Sequence, residues 1–187
     1  MKKHIVLCGQ RQVGKTTMTQ RLMREILVPV YGFRTKIMSV DEDGTHHIYM
    51  YPAGSGDGVM EESNHIGDCR MTDRTVNLRV FEDLGVRLLR EAKTDGVIIM
   101  DELGFMEAGA KNFCEEVLQA FDGETPILAA VKDTRHAAEF LGRIRNHKNA
   151  ELFMLTRENY GEVLEQVLPI VRSWNERNLP SDKPALT

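Results

Sequence analysis

Four residues near the start of the chain have the types and spacing of a phosphate-binding loop. The pattern is Gly9-x-x-x-x-Gly14-Lys15-Thr16, within the stretch CGQRQVGKTTM. Glycines let the backbone fold so that its N–H groups point at phosphate oxygens, at the positive end of the following helix. In such a loop the lysine reaches the β- and γ-phosphates, and the hydroxyl of Thr16 is a ligand for Mg²⁺. The segment therefore predicts a site for a nucleoside triphosphate and magnesium.

The sequence around this loop supplies the elements that a phosphate loop needs. The run HIVLCG before it predicts a buried strand, and KTTMTQRLMREIL after it has apolar residues at helical spacing. A strand, a glycine loop and a helix in this order support a true nucleotide site. We expect the whole loop to contact the nucleotide, that is, Gly9, Gln10, Arg11, Gln12, Val13, Gly14, Lys15, Thr16 and Thr17.

A second motif, VIIMDE, places two carboxylates where a buried strand ends. Four apolar residues precede Asp101 and Glu102, and open α/β sheets bind their ligands at the carboxyl ends of their strands. Neighbouring residues on a strand point in opposite directions, so the two carboxylates are predicted to do different work. We expect Asp101 to hold Mg²⁺ through water, together with Thr16. Glu102 is predicted to polarise an attacking water as general base, which makes Glu102 and Lys15 the predicted catalytic residues.

Apolar runs and helical patterns alternate along most of the chain, which predicts an α/β fold. GVIIMDE, TPILAAV and AELFMLT lack polar alternation and each precedes a helical pattern, which indicates a mostly parallel sheet buried on both faces. YGFRTKIMSV, DEDG and THHIYMY predict a β-hairpin inserted into that sheet. Residues 1–174 are predicted to form a single domain, and the polar residues 175–187 a C-terminal tail.

The composition is that of a folded protein without a strongly charged or membrane-like segment. The 187 residues are 42% hydrophobic and 28% charged, with a net charge of −4. No basic run exceeds a pair, which argues against broad nucleic-acid binding. No stretch approaches the roughly 18 apolar residues of a membrane span. We therefore expect a cytoplasmic protein without nucleic-acid or membrane partners, and the sequence identifies no protein partner.

The cysteines and histidines do not follow the spacing of a metal site. Cys8, Cys69 and Cys114 are widely separated and are predicted to be buried free thiols. His46, His47 and His65 are not expected to share a metal ion, because adjacent histidines on a strand diverge.

Four short motifs in a fixed order make the chain resemble a known family. GKTT (14–17), GFRT (32–35), DELGFME (101–107) and TREN (156–159) are similar to the GKTT, GFxT, DEIGxME and TxEN motifs of the THEP1-type nucleoside triphosphatases. The resemblance implies a RecA-like or kinase-like P-loop fold. It also implies Mg²⁺-dependent hydrolysis of ATP, GTP and other nucleoside triphosphates with weak base selectivity, and a contact between Asn159 and the nucleotide.

The chain departs from the family's motifs at several positions. Gln12 stands where the family usually has glycine, and Tyr160 stands where arginine usually follows TxEN. Lys36 and Ile37 replace the acidic residue usually found just after GFxT. These changes concern the predicted base and acceptor contacts, and they leave the phosphate loop and the strand-end carboxylates intact.

Two other functions fit the same motifs. A small-molecule or nucleotide kinase uses the same core with an acceptor in place of water, and a nucleotide-dependent switch binds with little turnover. Phosphoryl transfer also needs a positive charge near the γ-phosphate beyond the loop lysine and the metal. The candidates for that charge are Arg11, Arg34, Arg135, Arg143 and Arg145.

Overall fold

The computed structural model describes residues 3–56, 58–71, 73–134 and 137–178. The strands are β1 (His4–Gly9), β2 (Val30–Val40), β3 (His46–Pro52), β4 (His65–Arg70), β5 (Asp73–Val76), β6 (Val97–Leu103), β7 (Ile127–Lys132) and β8 (Ala150–Met154). The α-helices are α1 (Lys15–Met23), α2 (Leu78–Val80), α3 (Val86–Arg90), α4 (Lys111–Asp122), α5 (Ala138–Arg145) and α6 (Tyr160–Ser173). A π-helical turn, Phe81–Gly85, joins α2 to α3, and 3-10 turns cover Glu62–Asn64, Met106–Gly109 and Trp174–Asn178.

The strands of the described residues form one eight-stranded sheet. Their order is β5-β4-β3-β2-β6-β7-β1-β8. The strands β2, β6, β7, β1 and β8 are parallel, whereas β3, β4 and β5 add antiparallel pairs beyond β2. The predicted α/β fold with a mostly parallel central sheet is confirmed.

Helices cover both faces of the parallel strands, as the uninterrupted apolar runs predict. Alternate residues of β1 belong to different cores. Ile5 and Leu7 pack with α1, α6 and the buried Trp174, and Val6 and Cys8 pack with the residues of α2 to α5. The fold therefore has three layers. Among the described residues, no helix is long and apolar enough to cross a membrane.

Strand β2 connects the parallel part of the sheet to the antiparallel part. Residues 30–34 pair with residues 97–101 of β6, and residues 33–40 pair with β3. The predicted hairpin is confirmed, and its turn is closed by the N–H of Gly44, which donates to the carbonyl of Asp41 at 2.9 Å. Because β2 continues past Asp101, the hairpin extends beyond the carboxyl end of β6 and forms a wall beside it.

The strands β4 and β5 are missing from the prediction. Their sequences, HIGDCR and DRTV, are short and polar, and every residue of β5 is exposed. Such segments have no hydrophobic period to reveal them. They form because β3 presents an unpaired edge, to which β4 and then β5 add backbone hydrogen bonds.

The chain keeps its contacts with the domain just past the predicted boundary at residue 174. The Asn175 side-chain oxygen accepts the N–H of Leu27 at 2.8 Å, and its amide donates to the carbonyl of Glu25, also at 2.8 Å. Asn175 therefore packs with the domain. Residues 179–187 of the predicted tail lie outside the described residues.

The glycine of the GFRT motif is required by the close approach of two strands. Gly32 has a φ of +85°, and a Cβ atom at this position would lie 2.1 Å from the carbonyl oxygen of Ile99 on β6. A backbone oxygen cannot swing away as a side chain can. The motif therefore keeps β2 and β6 in register, and that register sets the level of β2 beside Asp101.

We expect Gly32→Ala to lower the free energy of unfolding by about 3 kcal/mol or more, because it combines a left-handed φ with a backbone clash. Gly44→Ala is the matched control. Gly44 has a φ of +84° with nothing within 4 Å of the added Cβ, so its loss should be about 1 kcal/mol. Urea unfolding measures both, and equal losses would show that the approach to Ile99 is unimportant.

Candidate active site

The phosphate loop is held by close backbone packing between the end of β1 and the start of α1. A Cβ at Gly9 would lie 2.5 Å from the carbonyl oxygen of Leu155, which follows β8. Gly14 has a φ of +98°, and a Cβ there would lie 3.2 Å from the ring of Tyr160. Both glycines are therefore needed by the loop's shape.

Gln12, the departure inside the loop, adopts a left-handed conformation. Its φ is +65°, a region that glycine occupies at no cost and that other residues occupy at a cost of about 1–2 kcal/mol. This explains why a glycine suits the position. The Gln12 carbonyl accepts a hydrogen bond from Nε of Arg157 at 3.3 Å, and Gln12 also lines the cleft above the loop.

The predicted loop contacts differ in what they present to a nucleotide. The cleft is lined by Arg11, Gln12, Gly14, Lys15, Thr16 and Thr17. The carbonyls of Gly9 and Gln10 face the ammonium of Lys15. Val13 instead packs against the core formed by α1 and α6, so its side chain serves the loop's packing.

Lys15 is a buried cation whose charge is met by the loop itself. Its side-chain nitrogen donates to the carbonyl of Gly9 at 2.8 Å and to that of Gln10 at 2.6 Å, and the residue is 6% exposed. Burial lowers the pKa of Lys15, while the negative charge of Glu102 opposes that shift. The two carbonyls hold the ammonium at the base of the cleft, where a phosphate group would meet it.

The pair Thr16 and Asp101 supplies oxygen ligands that suit Mg²⁺. The Thr16 hydroxyl donates to Oδ1 of Asp101 at 3.2 Å, and hydroxyl and carboxylate oxygens are ligands that Mg²⁺ prefers. Asp101 is 1% exposed. Burial raises the pKa of Asp101 to about 6, and the hydrogen bond from Thr16 opposes the shift. A dication would compensate this buried charge, so the two residues fit the predicted metal site.

Glu102 lies at an irregularity in the pairing of β6 with β7. Asp101 pairs with Ala130 and Leu103 pairs with Val131, so Glu102 is an extra residue opposite β7. Bulges of this kind re-aim side chains and are frequent next to active sites. The Glu102 carboxylate contacts Nζ of Lys132 at 2.7 Å. The two carboxylates therefore have different surroundings, and the different work predicted for them stays a prediction.

One cleft brings the loop, Glu102 and Lys132 together. It has a volume of about 630 Å³, within the range of ligand pockets. Another wall is formed by the sheet extension, that is, residues 35–40 of β2 together with β3, β4 and β5. The residues of this wall that line the cleft are Thr35, Lys36, Ile37, His46, Ile48, Cys69, Met71 and Arg74. A cavity of about 840 Å³ elsewhere, between β3 and α2, contains no residue of the phosphate loop. The smaller cavity is therefore the candidate site.

Two of the predicted arginines lie near the site. Arg11 lines the cleft. Arg34 lies on the α1 side of β2, donates to the carbonyl of Ser55 at 2.8 Å, and lowers the pKa of Asp101 by its positive charge. It lines a separate cavity with Arg24 and Lys36. Arg34 therefore lies near Asp101, one of the two predicted metal ligands, while its guanidinium is hydrogen-bonded to a backbone carbonyl.

Neither Arg143 nor Arg145 lines the cleft, whereas Lys132 does. Arg145 pairs with Asp133 at 3.2 Å, Arg143 lines a cavity that contains no loop residue, and Arg135 lies outside the described residues. Lys132 is the last residue of β7, beside Gly9 of β1. Like Asp101, Lys132 is a charged residue at the end of a buried apolar run, a pattern that the sequence shows.

Asn159 closes the loop between β8 and α6. Its side-chain amide donates to the carbonyl of Met154 at 2.8 Å, and its side-chain oxygen accepts the N–H of Thr156, also at 2.8 Å. Both polar ends of the side chain therefore shape the TREN segment, whose Arg157 touches the phosphate loop. The predicted contact between Asn159 and the nucleotide stays a prediction.

The structure differs from the sequence-based predictions for two of the cysteines and for two of the histidines. All three cysteines are free, but only Cys8 is buried, whereas Cys69 and Cys114 are partly exposed. His46 and His47 diverge as predicted, with His46 lining the cleft. His47 and His65, however, come together at Asp68, because a bulge in β4 changes which residues share a face.

Glu107 ends the DELGFME motif, and the sequence alone gives it no role. The residue is 3% exposed and accepts the backbone N–H of Gly104. Burial raises the pKa of Glu107 to about 7, and backbone hydrogen bonds oppose the shift. The carboxyl therefore closes the turn that directly follows Glu102.

Comparison with known proteins identifies the family. A model of the NTPase family matches residues 4–168. The chain belongs to this family. The match covers the phosphate loop, both strand-end carboxylates and the TREN segment. It confirms the predicted P-loop fold and the assignment as a nucleoside triphosphatase, and it favours that assignment over the kinase and the switch.

Individual relatives support the same assignment. The nucleoside-triphosphatase THEP1 of Thermotoga sp. (strain RQ2) is 31% identical over 170 residues, which cover 90% of this chain and 95% of that protein. The crystal structure of THEP1 from Aquifex aeolicus has a TM-score of 0.70 at 27% identity, covering 90% of this chain and 98% of that one. The solution structure of a human cancer-related nucleoside triphosphatase has a TM-score of 0.64 at 28% identity, covering 91% and 98%.

The buried carboxyl of Glu107 predicts a dependence of stability on pH. Its pKa is about 7 in the folded chain and 4.5 in an unperturbed side chain, so the folded state binds the proton more tightly. The stability that Glu107 contributes is present below pH 4.5 and is lost as the pH rises to 7. Glu107→Gln keeps an acceptor for the N–H of Gly104 and has no such loss.

We therefore compare the free energy of unfolding of Glu107→Gln with that of the unsubstituted chain. The difference should shift in favour of the variant by on the order of 3 kcal/mol when the pH is raised from 5 to 8. Urea unfolding of both proteins at the two pH values measures this change. Asp101 titrates in both, so its contribution cancels. Equal differences at pH 5 and pH 8 would contradict the burial argument.

Proposed function

We propose that this member of the NTPase family hydrolyses ATP, GTP and other nucleoside triphosphates to the diphosphate and phosphate, in a reaction that depends on Mg²⁺. The observation that carries the proposal is the presence in one cleft of Lys15, Thr16 and Glu102, with Asp101 hydrogen-bonded to Thr16. Weak base selectivity is supported by the names of the relatives, which specify a nucleoside triphosphatase without naming a base.

The phosphate-binding role falls to the loop. Its backbone N–H groups and the ammonium of Lys15 would receive the β- and γ-phosphates. To do so, Lys15 must exchange its contacts with the carbonyls of Gly9 and Gln10 for contacts with phosphate oxygens. Thr16 and Asp101 would hold Mg²⁺, which when bound neutralises negative charge on the phosphates.

Glu102 is the base that we propose for the attacking water. It is partly exposed to the cleft and lies next to Asp101 in sequence, so a water bound to its carboxylate would face the terminal phosphate held by the loop. Its carboxylate would accept the water's proton as the oxygen attacks. General-base assistance of this kind contributes about 10²- to 10⁴-fold in rate.

Lys132 is a positioning residue for that base. Its ammonium contacts the Glu102 carboxylate at 2.7 Å and lies 5.2 Å from the centre of the Phe105 ring. These contacts would hold the carboxylate in position, and the ammonium would then lie beside the path of the γ-phosphate. Lys132 would thus supply the additional positive charge that the sequence analysis assigns to an arginine.

The cytoplasm is the compartment that we propose for this activity. Nucleoside triphosphates and Mg²⁺ are available there, and Cys8, Cys69 and Cys114 are free thiols, which suits a reducing environment.

Exchange of the base should separate binding from turnover. We expect Glu102→Gln to bind ATP as the unsubstituted chain does and to lose about 10²- to 10⁴-fold in kcat, because the amide cannot accept a proton. Lys15→Ala should lose both binding and turnover. Phosphate release and equilibrium binding of a fluorescent ATP analogue measure the two properties, and full turnover by Glu102→Gln would refute the base assignment.

Removal of the Lys132 charge should act on turnover more than on substrate binding. We expect Lys132→Met to lower kcat by about 10- to 100-fold with KM changed less than about threefold, because a misplaced base reduces rate rather than affinity. Lys132→Arg, which keeps the charge, is the control and should recover part of kcat. A rise in KM at unchanged kcat would instead make Lys132 a substrate-binding residue.

A further inference from the structure

Three side chains on β3 and β4 converge on the face of the sheet extension opposite the cleft. Nδ1 of His47 lies 2.6 Å from Oδ1 of Asp68, and Nε2 of His65 lies 2.8 Å from the same oxygen. The three side chains are between 23% and 28% exposed. Within the part of the chain that the structure describes, they are the group of metal-ligating side chains whose ligand atoms all lie within 4.8 Å of one another.

The backbone brings these side chains to one face. His47 lies directly opposite Asp68 in the antiparallel pair of β3 and β4. His65 and Asp68 are three residues apart, which in a regular strand would put them on opposite faces. The register between the strands shifts at this point. Ile48 pairs with Gly67 and Tyr49 pairs with His65, so Ile66 is an extra residue in β4. The resulting bulge turns both side chains to the same side.

A second set of contacts supports the three side chains from outside. The other ring nitrogen of His47, Nε2, lies 3.0 Å from Oδ2 of Asp41. The other oxygen of Asp68 accepts a hydrogen bond from the Thr75 hydroxyl at 3.0 Å. A carboxylate behind a histidine and a hydrogen bond to the ligating carboxylate are the outer contacts that orient ligands in metal sites.

We propose that His47, His65 and Asp68 form a binding site for a divalent transition-metal ion of the Zn²⁺ type. Two imidazoles and one carboxylate are a donor set that suits Zn²⁺ and is unsuited to Mg²⁺. Ligand atoms about 2.0–2.2 Å from a tetrahedral ion are roughly 3.4 Å apart, so each present contact must open by less than about 1 Å. The fourth position is left for water.

The bound ion would cross-link β3 to β4. These strands belong to the extension whose other face lines the cleft, so the site would stabilise that wall. The proposed site is separate from Thr16 and Asp101, and it stands independently of the proposed hydrolysis.

Equilibrium dialysis with ZnCl₂ in the absence of nucleotide tests the site on the full chain. We expect one equivalent of Zn²⁺ to bind, and His65→Gln to weaken that binding by at least about 100-fold. His147→Gln is the matched control, because His147 also contacts a carboxylate, Asp122, at 3.3 Å but forms no such group of three with the other described residues. It should bind Zn²⁺ as the unsubstituted chain does.

A variant outside the ligand set distinguishes loss of the metal site from loss of the fold. Asp41→Asn keeps all three ligands and should weaken Zn²⁺ binding by about 10- to 100-fold, as changes to outer carboxylates do. Circular dichroism identifies any variant that fails to fold, and Asp41→Asn then decides. Absence of Zn²⁺ binding by the unsubstituted chain, or equal binding by His65→Gln, Asp41→Asn and His147→Gln, would overturn the proposal.

Discussion

The burial of charge beneath the phosphate loop is the constraint on which the site depends. Lys15 and Asp101 are 6% and 1% exposed, and burial lowers the pKa of the first and raises that of the second. Two carbonyls contact Lys15 and one hydroxyl contacts Asp101, and the charges of Glu102 and Arg34 oppose the respective pKa shifts. A triphosphate and a dication would add further opposite charge, so part of the burial cost returns as binding energy.

Close backbone contacts set the positions of the residues around these charges. Gly9 and Gly14 allow the loop to approach Leu155 and Tyr160 closely, and Gln12 accepts a left-handed conformation to complete the curve. Gly32 likewise allows a close backbone approach between β2 and β6, three strands away from β1 in the sheet. The glycines of the short motifs therefore permit close contacts between backbone segments. Those contacts determine where the neighbouring charged residues lie.

The sequence predicted the parts of the site that obey local rules. The loop spacing identified Lys15 and Thr16, and the end of an apolar strand identified Asp101 and Glu102. Lys132 obeys the same strand-end rule but is not among the five arginines predicted as the additional cation. Its contact with Glu102 joins residues that are 30 positions apart, on the neighbouring strands β6 and β7. A local sequence pattern cannot predict such a contact.

Other features depend on strand pairing and could not be read from the sequence. The strands β4 and β5 are polar and gain their stability from the edge of β3, so their own residues carry little signal. The convergence of His47 and His65 depends on a bulge that reverses the expected alternation of faces. Asn159 was predicted from a motif, and its polar ends shape a turn in the structure.

In the proposed mechanism, water held in the cleft beside Glu102 attacks the terminal phosphorus of the nucleotide. Hydrolysis of ATP by the purified chain in ¹⁸O-labelled water with Mg²⁺, followed by mass analysis of both products, distinguishes this attack from the alternatives. We expect one ¹⁸O atom from water in each inorganic phosphate released at single turnover, and none in the diphosphate. Label in the diphosphate, or transfer of the γ-phosphate to an acceptor without release of labelled phosphate, would contradict it.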